Sequence, residues 1–195
     1  MFLTALSHAV LHVLLGCHRS DEVVNRVNDR ISELSFIPKQ YGEPLHVMYY
    51  ERGQYFKGHL DSGDHPRRAR NSRFATCYIY LSDAAVGGET YFPLAKKASG
   101  GRDAVPRACA GLDMIEVDQH AADIGSAQAD FLSSIEAELP SLGVTVLPKK
   151  GRAVLWWNKA EDGEVDWRSR HIGCPVVEGE KWGAVRWIHH RPMER

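Results

Sequence analysis

Apolar and polar positions along this chain follow a helix period near the start and again in an insertion past the middle, and elsewhere gather into short β-branched and aromatic runs. Ser20, Asp21 and Glu22 offer an N-cap hydroxyl and acids for a first turn. Val23, Val24, Val27, Ile31 and Leu34 then recur at three- and four-residue spacing, which predicts an amphipathic helix closed by Pro38. After Gly42 the texture becomes β-branched and aromatic. Leu45–Tyr50, Arg73–Leu81, Arg152–Trp157 and Trp182–Ile188 read as strands, with Gly88–Phe92 as a short partner. Many short strands after one helix predict a mainly β domain, a sandwich or jelly roll with flanking helices. The stretch at about 94–147 interrupts this pattern. Ile124, Phe131, Leu132, Ile135 and Leu139 are spaced for one amphipathic helix there, either a surface excursion or a lid over a substrate.

Length allows one such domain, since 195 residues bury a sizeable core without disulfide staples. Segment 1–20 stands apart. Met1–Cys17 is apolar but carries His8 and His12, lacks a basic start and is too short to span a bilayer. It reads either as a targeting or anchoring segment or as a helix packed on the domain that runs from 21 to 195. Charge argues against one class of partner: 24 Lys+Arg against 25 Asp+Glu leave a net charge of −1, without a broad phosphate-neutralising surface for nucleic acid. Cysteines at 17, 77, 109 and 174 include no CxxC pair, which argues against a zinc–thiolate site. Ten histidines make a different metal site worth seeking.

His59-Leu60-Asp61 is the centre of that search. On an extended strand, residues i and i+2 share a face, so His59 and Asp61 can grip one ion from one side. His171 is the best third ligand: Arg170–Pro175 places it beside Gly and Pro suited to a turn at a barrel mouth. Two imidazoles and one carboxylate form the facial set that leaves positions open on Fe(II). Lys181 stands ten residues later at the start of the last strand, placed to hold the distal carboxylate of a 2-oxo diacid. Arg186 is the next cation in line for that role. Arg67, Arg68, Arg70 and Arg73 read as a solvated loop or a substrate mouth, and His65, His189 and His190 as surface histidines.

Taken together, Tyr50-x8-His59-x-Asp61, Arg73–Asp83 with Gly87–Pro93, Pro148–Trp157 and His171–Ile188 resemble the catalytic domain of prolyl 4-hydroxylase alpha-subunit-type 2-oxoglutarate/Fe(II) dioxygenases. The likeness runs from about Asp21 to His190. It implies a double-stranded β-helix, Fe(II), 2-oxoglutarate, O2 and L-ascorbate, and hydroxylation of a peptide or protein substrate, foremost at proline, with succinate and CO2 as co-products. By the same resemblance His59, Asp61 and His171 match the iron ligands and Lys181 the oxoglutarate lysine. Tyr50, Tyr80, Thr90 and Trp187 fall where the family lines the oxoglutarate pocket, although each also suits an ordinary core. Related halogenases lack the carboxylate, so Asp61 favours hydroxylation. Two departures stand out: the strand and Arg-Thr-Ser segment before the first helix are not recognisable, and the insertion after Cys109 is long. A metal-retaining binding domain without catalysis, or an oxygenase acting on a small molecule or alkylated nucleic acid, stays open beside this reading.

The resemblance also suggests that Cys109 pairs with Cys174. Cys77 suits a reduced buried thiol and Cys17 a free one. A bridge implies an oxidising compartment such as the endoplasmic reticulum, whereas four reduced cysteines imply the cytoplasm.

Overall fold

Helix and strands, as the two periods predict, assemble around one core in a computed structural model. It describes residues 11–13, 21–62, 73–84, 86–112 and 130–193. Helix α1 spans Glu22–Ser35. Its cap is Asp21 rather than Ser20: the Asp21 carboxylate accepts from the Val23 and Val24 N–H groups at 2.9 and 3.1 Å. A carboxylate satisfies those donors and places negative charge at the positive end of the helix. Phe36, at φ 58, turns the chain out of the helix before Pro38.

Among the described residues there are eleven strands, in chain order β1 (Leu11–Val13), β2 (His46–Tyr50), β3 (Phe56–His59), β4 (Arg73–Tyr80), β5 (Val86–Gly87), β6 (Thr90–Phe92), β7 (Val144–Val146), β8 (Ala153–Trp157), β9 (His171–Gly173), β10 (Val176–Glu178) and β11 (Lys181–His189). The larger sheet has the order β1-β2-β11-β4-β8, the smaller β3-β9-β6-β7, and β10 pairs with β5. These pairings are all antiparallel. This is the double-stranded β-helix, or jelly roll, that the strand pattern and resemblance imply. Residues 11–13 form an edge strand on β2, so at these positions the N-terminal stretch is not a helix. The remainder of 1–20, including Cys17, lies outside the described residues, as do His65, Arg67, Arg68, Arg70 and Ile124.

The period of two divides the larger sheet into two faces. Outward residues Ala75, Cys77, Ala184 and Ile188 pack with Ile31 of α1 and Leu45. Inward residues Met48, Tyr50, Tyr78, Tyr80 and Val185 face the smaller sheet. The expected insertion ends earlier than 147, because Val144–Val146 pairs with β6 as a strand of the smaller sheet. Within it, helical residues 130–134 lead into a cluster where Ile135 packs with Leu94 and Leu142. Cys109 and Cys174 form a disulfide with Cα atoms 5.1 Å apart, tying 107–109 to the chain just after β9. Cys77 is a buried free thiol, and burial pushes its pKa up to about 11.

Candidate metal centre and cavity

Strand pairing brings two of the expected ligands together. His59 at the end of β3 stands directly opposite His171 at the start of β9, and the ring centroids are 4.3 Å apart. Asp61 is not on the strand, as the spacing predicts, but in the turn after it. The turn swings its carboxylate inward: Oδ1 lies 3.4 Å from His59 Nε2 and Oδ2 lies 3.8 Å from His171 Nε2. One potential donor atom from each residue falls within 4.8 Å of the others.

Hydrogen bonding fixes which imidazole nitrogen faces the centre. His59 Nδ1 lies 2.8 Å from the Lys57 carbonyl, and His171 Nδ1 lies 2.9 Å from the Ser169 carbonyl. A carbonyl only accepts, so each Nδ1 carries hydrogen, and Nε2 is the nitrogen left to offer a lone pair toward Asp61 in the neutral ring. Burial, reinforced by His59, holds His171 neutral by lowering its pKa to about 4. Burial alone would raise the Asp61 carboxyl. Its imidazole neighbours and a hydrogen bond from Thr76 Oγ1 at 2.7 Å instead hold it well below the usual carboxylate range. Two imidazoles and one carboxylate suit a divalent cation such as Fe(II) in donor type.

Behind Asp61 runs a hydrogen-bonded chain that the sequence pattern does not disclose. Asn158 Nδ2 donates to Thr76 Oγ1 at 2.9 Å, and Thr76 donates to Asp61; Asn158 and Thr76 are fully buried. The one signal for it is a hydroxyl residue at an inward position of the otherwise apolar β4.

The three residues open into a cavity of about 440 Å³, counting its solvent-filled mouth. Tyr50, Thr90, Lys181 and Trp187 line it as expected, and Tyr78 and Trp156 join them unpredicted. Tyr80 stands behind this wall. Its hydroxyl bonds Thr90 Oγ1 at 2.6 Å and donates to the Val146 carbonyl at 3.1 Å, linking the two sheets. Lys181 Nζ stands 5.1, 5.2 and 5.4 Å from the ring centroids of Tyr50, Tyr78 and Tyr80. Burial lowers its pKa to about 7, against the opposing pull of Glu89. No carboxylate among the described residues lies within ion-pair distance of it. Gly88 makes room for the lysine stem: at φ +72, a Cβ there would press on Lys181 Cδ at 3.1 Å.

The polar atoms left over in this wall share one character. Tyr78 Oη, Trp156 Nε1 and Trp187 Nε1 are buried without a hydrogen-bond partner among the described residues, and all three can donate. With Lys181 they give the cavity wall a set of unused donors, a lining suited to an anion.

Arg186 does not enter this cavity. It faces outward from β11 and donates to the Lys39 carbonyl at 2.6 Å. His189 is not a surface residue but buried, with Nε2 2.8 Å from Glu43 Oε1. Burial would raise the Glu43 carboxyl, but His189 and Arg73 together lower it to about 2. Arg73 makes two hydrogen bonds to Glu43 and places its guanidinium 3.7 Å from the Trp187 ring centroid. His190 is exposed.

Comparison with known proteins gives this geometry its relatives. Residues 45–189 match the 2OG-Fe(II) oxygenase superfamily. Prolyl 4-hydroxylase 2 of Arabidopsis thaliana is 38% identical over 171 residues, covering 87% of this chain and 48% of that protein. The chain thus spans about half the length of the curated relatives it matches. The viral collagen prolyl hydroxylase of Paramecium Bursaria Chlorella virus-1, solved as a 2OG complex, shares the fold. Its TM-score is 0.55 at 22% identity, over 87% of this chain and 72% of that one. A Trichoplax adhaerens prolyl hydroxylase, solved with a hypoxia inducible factor peptide fragment, shares it at a TM-score of 0.50 and 15% identity. That likeness covers 89% of this chain and 59% of the other.

Proposed function

The chain belongs to the 2OG-Fe(II) oxygenase superfamily, and from that membership we propose that it is a dioxygenase that hydroxylates peptidyl proline. The observation that carries the proposal is the union, in one cavity, of the His59–Asp61–His171 set with buried Lys181 and three unpartnered donors. Iron alone would need only the first; a 2-oxo diacid chelated to it needs both.

In this reading His59 Nε2, Asp61 and His171 Nε2 hold Fe(II), and Thr76, backed by Asn158, orients the Asp61 carboxylate. Ferrous iron with O2 supplies the oxidising chemistry that splits 2-oxoglutarate into succinate and CO2 and hydroxylates the substrate. Lys181 holds the distal carboxylate of 2-oxoglutarate, with Tyr50 and Thr90 shaping the wall around it, and Tyr80 acts by fixing Thr90. Aromatic residues Trp156, Phe92 and Phe56 pack about the ligand histidines and exclude water from the metal. Two inward positions along β11 from Val185, His189 joins Arg73 and Glu43 beside Trp187, giving an entering peptide a polar edge next to an aromatic one. L-ascorbate belongs to the proposal as the reductant that the family resemblance implies.

The peptide substrate is supported by the prolyl 4-hydroxylase relatives and by the neighbour solved with a peptide fragment. The Cys109–Cys174 bridge adds an oxidising compartment, the endoplasmic reticulum, because structural disulfides persist there; a free Cys174 in mass spectrometry of non-reduced peptides from protein made in an oxidising host would remove it. The function is tested by succinate release against a panel of proline-containing peptides, with mass spectrometry of each peptide. Stoichiometric succinate and one added oxygen on proline are expected. Metal binding with no succinate from any peptide would favour the non-catalytic binding domain.

A further inference from the structure

The inward positions of β11 and β4 form levels along the cavity. Thr76 pairs with Trp187 and Trp156, and its bond to Asp61 marks the metal level. Tyr78 pairs with Val185, Tyr80 with Gly183, and Lys181 faces Tyr50 at the far end. Tyr78 does not stay at its own level. Its hydroxyl occupies the space over Gly183, where any Cβ would collide with it. The hydroxyl therefore sits one inward position from Lys181, whose ammonium lies 5.2 Å from the Tyr78 ring.

That hydroxyl is costly where it is. Tyr78 is 7% exposed and its Oη has no hydrogen-bond partner among the described residues. A buried hydroxyl without a partner destabilises a fold, and phenylalanine would fill the same space without the penalty. Burial pushes the phenol's pKa well up, so the group stays a proton donor at any working pH. Its neighbours in the wall leave it a single kind of partner. Thr90 Oγ1 is engaged with Tyr80, the Tyr50 hydroxyl is turned to Met48 Sδ, the Lys181 ammonium offers only donors, and Val185 offers no acceptor. An acceptor must come from the occupant.

We propose that the Tyr78 hydroxyl is a second anchor for the distal carboxylate of the 2-oxo acid, beside Lys181, and sets a preference for diacids over monoacids. This rests on the proposed cosubstrate. Lysine supplies a point charge without direction, whereas a phenol held over Gly183 supplies one directed bond to a carboxylate oxygen. A keto acid ending in a methyl group gains nothing from either.

The test is calorimetric titration of the full chain, loaded with Mn(II) in place of Fe(II) under nitrogen, with 2-oxoglutarate and with 2-oxovalerate. Tyr78→Phe should weaken 2-oxoglutarate about tenfold, as loss of a hydrogen bond to a charged group does, and leave 2-oxovalerate unchanged. The metal-free Tyr78→Phe protein should melt at the same temperature as wild type or higher, because an unpartnered hydroxyl is gone. Gly183→Ala, which displaces the hydroxyl, should reproduce the selective loss and add little to Tyr78→Phe. Unchanged 2-oxoglutarate affinity in Tyr78→Phe would overturn the anchor, as would equal weakening of both acids. Lys181→Met separates this from the underlying reading. If that variant keeps full 2-oxoglutarate affinity, the cosubstrate assignment itself fails; if it loses affinity while Tyr78→Phe does not, only the anchor fails.

Discussion

The two faces of the larger sheet are built from the same strands and do opposite work. On β4 and β11 the outward residues Ala75, Cys77, Ala184 and Ile188 close against α1, and the cation beside them, Arg186, donates through Nη2 to the Lys39 carbonyl and leaves only Nη1 without a partner among the described residues. The inward residues one step away leave the Lys181 ammonium, the Tyr78 hydroxyl and the Trp187 indole N–H buried with hydrogens to donate and no protein acceptor in ion-pair or hydrogen-bond reach among the described residues. A fold optimised for stability alone would make both faces like the first. The inner face gives stability away, and what it lacks is what the proposed ligands would supply: a divalent cation at one end and a carboxylate at the other.

Breaking the inner face at the metal should have the largest effect. Asp61→Ala removes the only anionic donor of the set and is expected to abolish Mn(II) or Fe(II) binding, and turnover with it, in a protein that still folds. Full hydroxylation by Asp61→Gly would contradict the ligand assignment. Breaking the outer face should do the reverse. Ile188→Ala opens a cavity under α1 and should cost about 2–5 kcal/mol in denaturant unfolding, while the 2-oxoglutarate Kd of the folded fraction stays put.

Lys181→Met sharpens the contrast further, since one substitution should move the two properties in opposite directions. Loss of a buried charge partner should weaken 2-oxoglutarate on the order of a hundredfold, while the metal-free protein gains stability because a desolvated ammonium is gone. The smallest effect is on pH. Lys181 falls from 10.5 to about 7 on folding, so between these values the unfolded chain binds the extra proton. Stability of the metal-free protein should therefore rise with pH from about 7 to 9, and below about 7 the penalty is constant. The rise should vanish in Lys181→Met, as measured by unfolding at a series of pH values. Affinity for 2-oxoglutarate should run the other way, falling as pH climbs past about 7 and the ammonium is lost.

How much of this is legible in the sequence depends on how local the cause is. The long strands Arg73–Tyr80 and Lys181–His189 announce themselves because a run of eight or nine residues rich in β-branched and aromatic side chains is visible without knowing the partner. Strands β3, β7 and β9 have three or four residues each, and exist because a neighbour pairs with them. The spacing His59-x-Asp61 picks out two residues that the fold does bring together, but the reason it gives is only half true: His59 ends a strand, and a turn rather than the pleat brings Asp61 round. His189 reads as a surface residue, wrongly, because its partner Glu43 is 146 positions away, a contact only the β2–β11 pairing creates. Tyr80 and Tyr78 show the same limit. Two positions apart on one strand, they share a face, yet Tyr80 turns to bond Thr90 and Val146 while Tyr78 leans over Gly183 into the cavity. Nothing in their own spacing separates them.

Joint binding of metal and a 2-oxo diacid by the inner face is tested by anaerobic titration of the Fe(II)-loaded protein with 2-oxoglutarate, monitored by visible absorption and calorimetry. One equivalent should bind with a metal-dependent charge-transfer band, absent in Asp61→Ala, sharply weakened in Lys181→Met and intact in Ile188→Ala. Tight Fe(II) binding with no band and no heat on adding 2-oxoglutarate would contradict it, and would leave the inner face as a metal site without a cosubstrate.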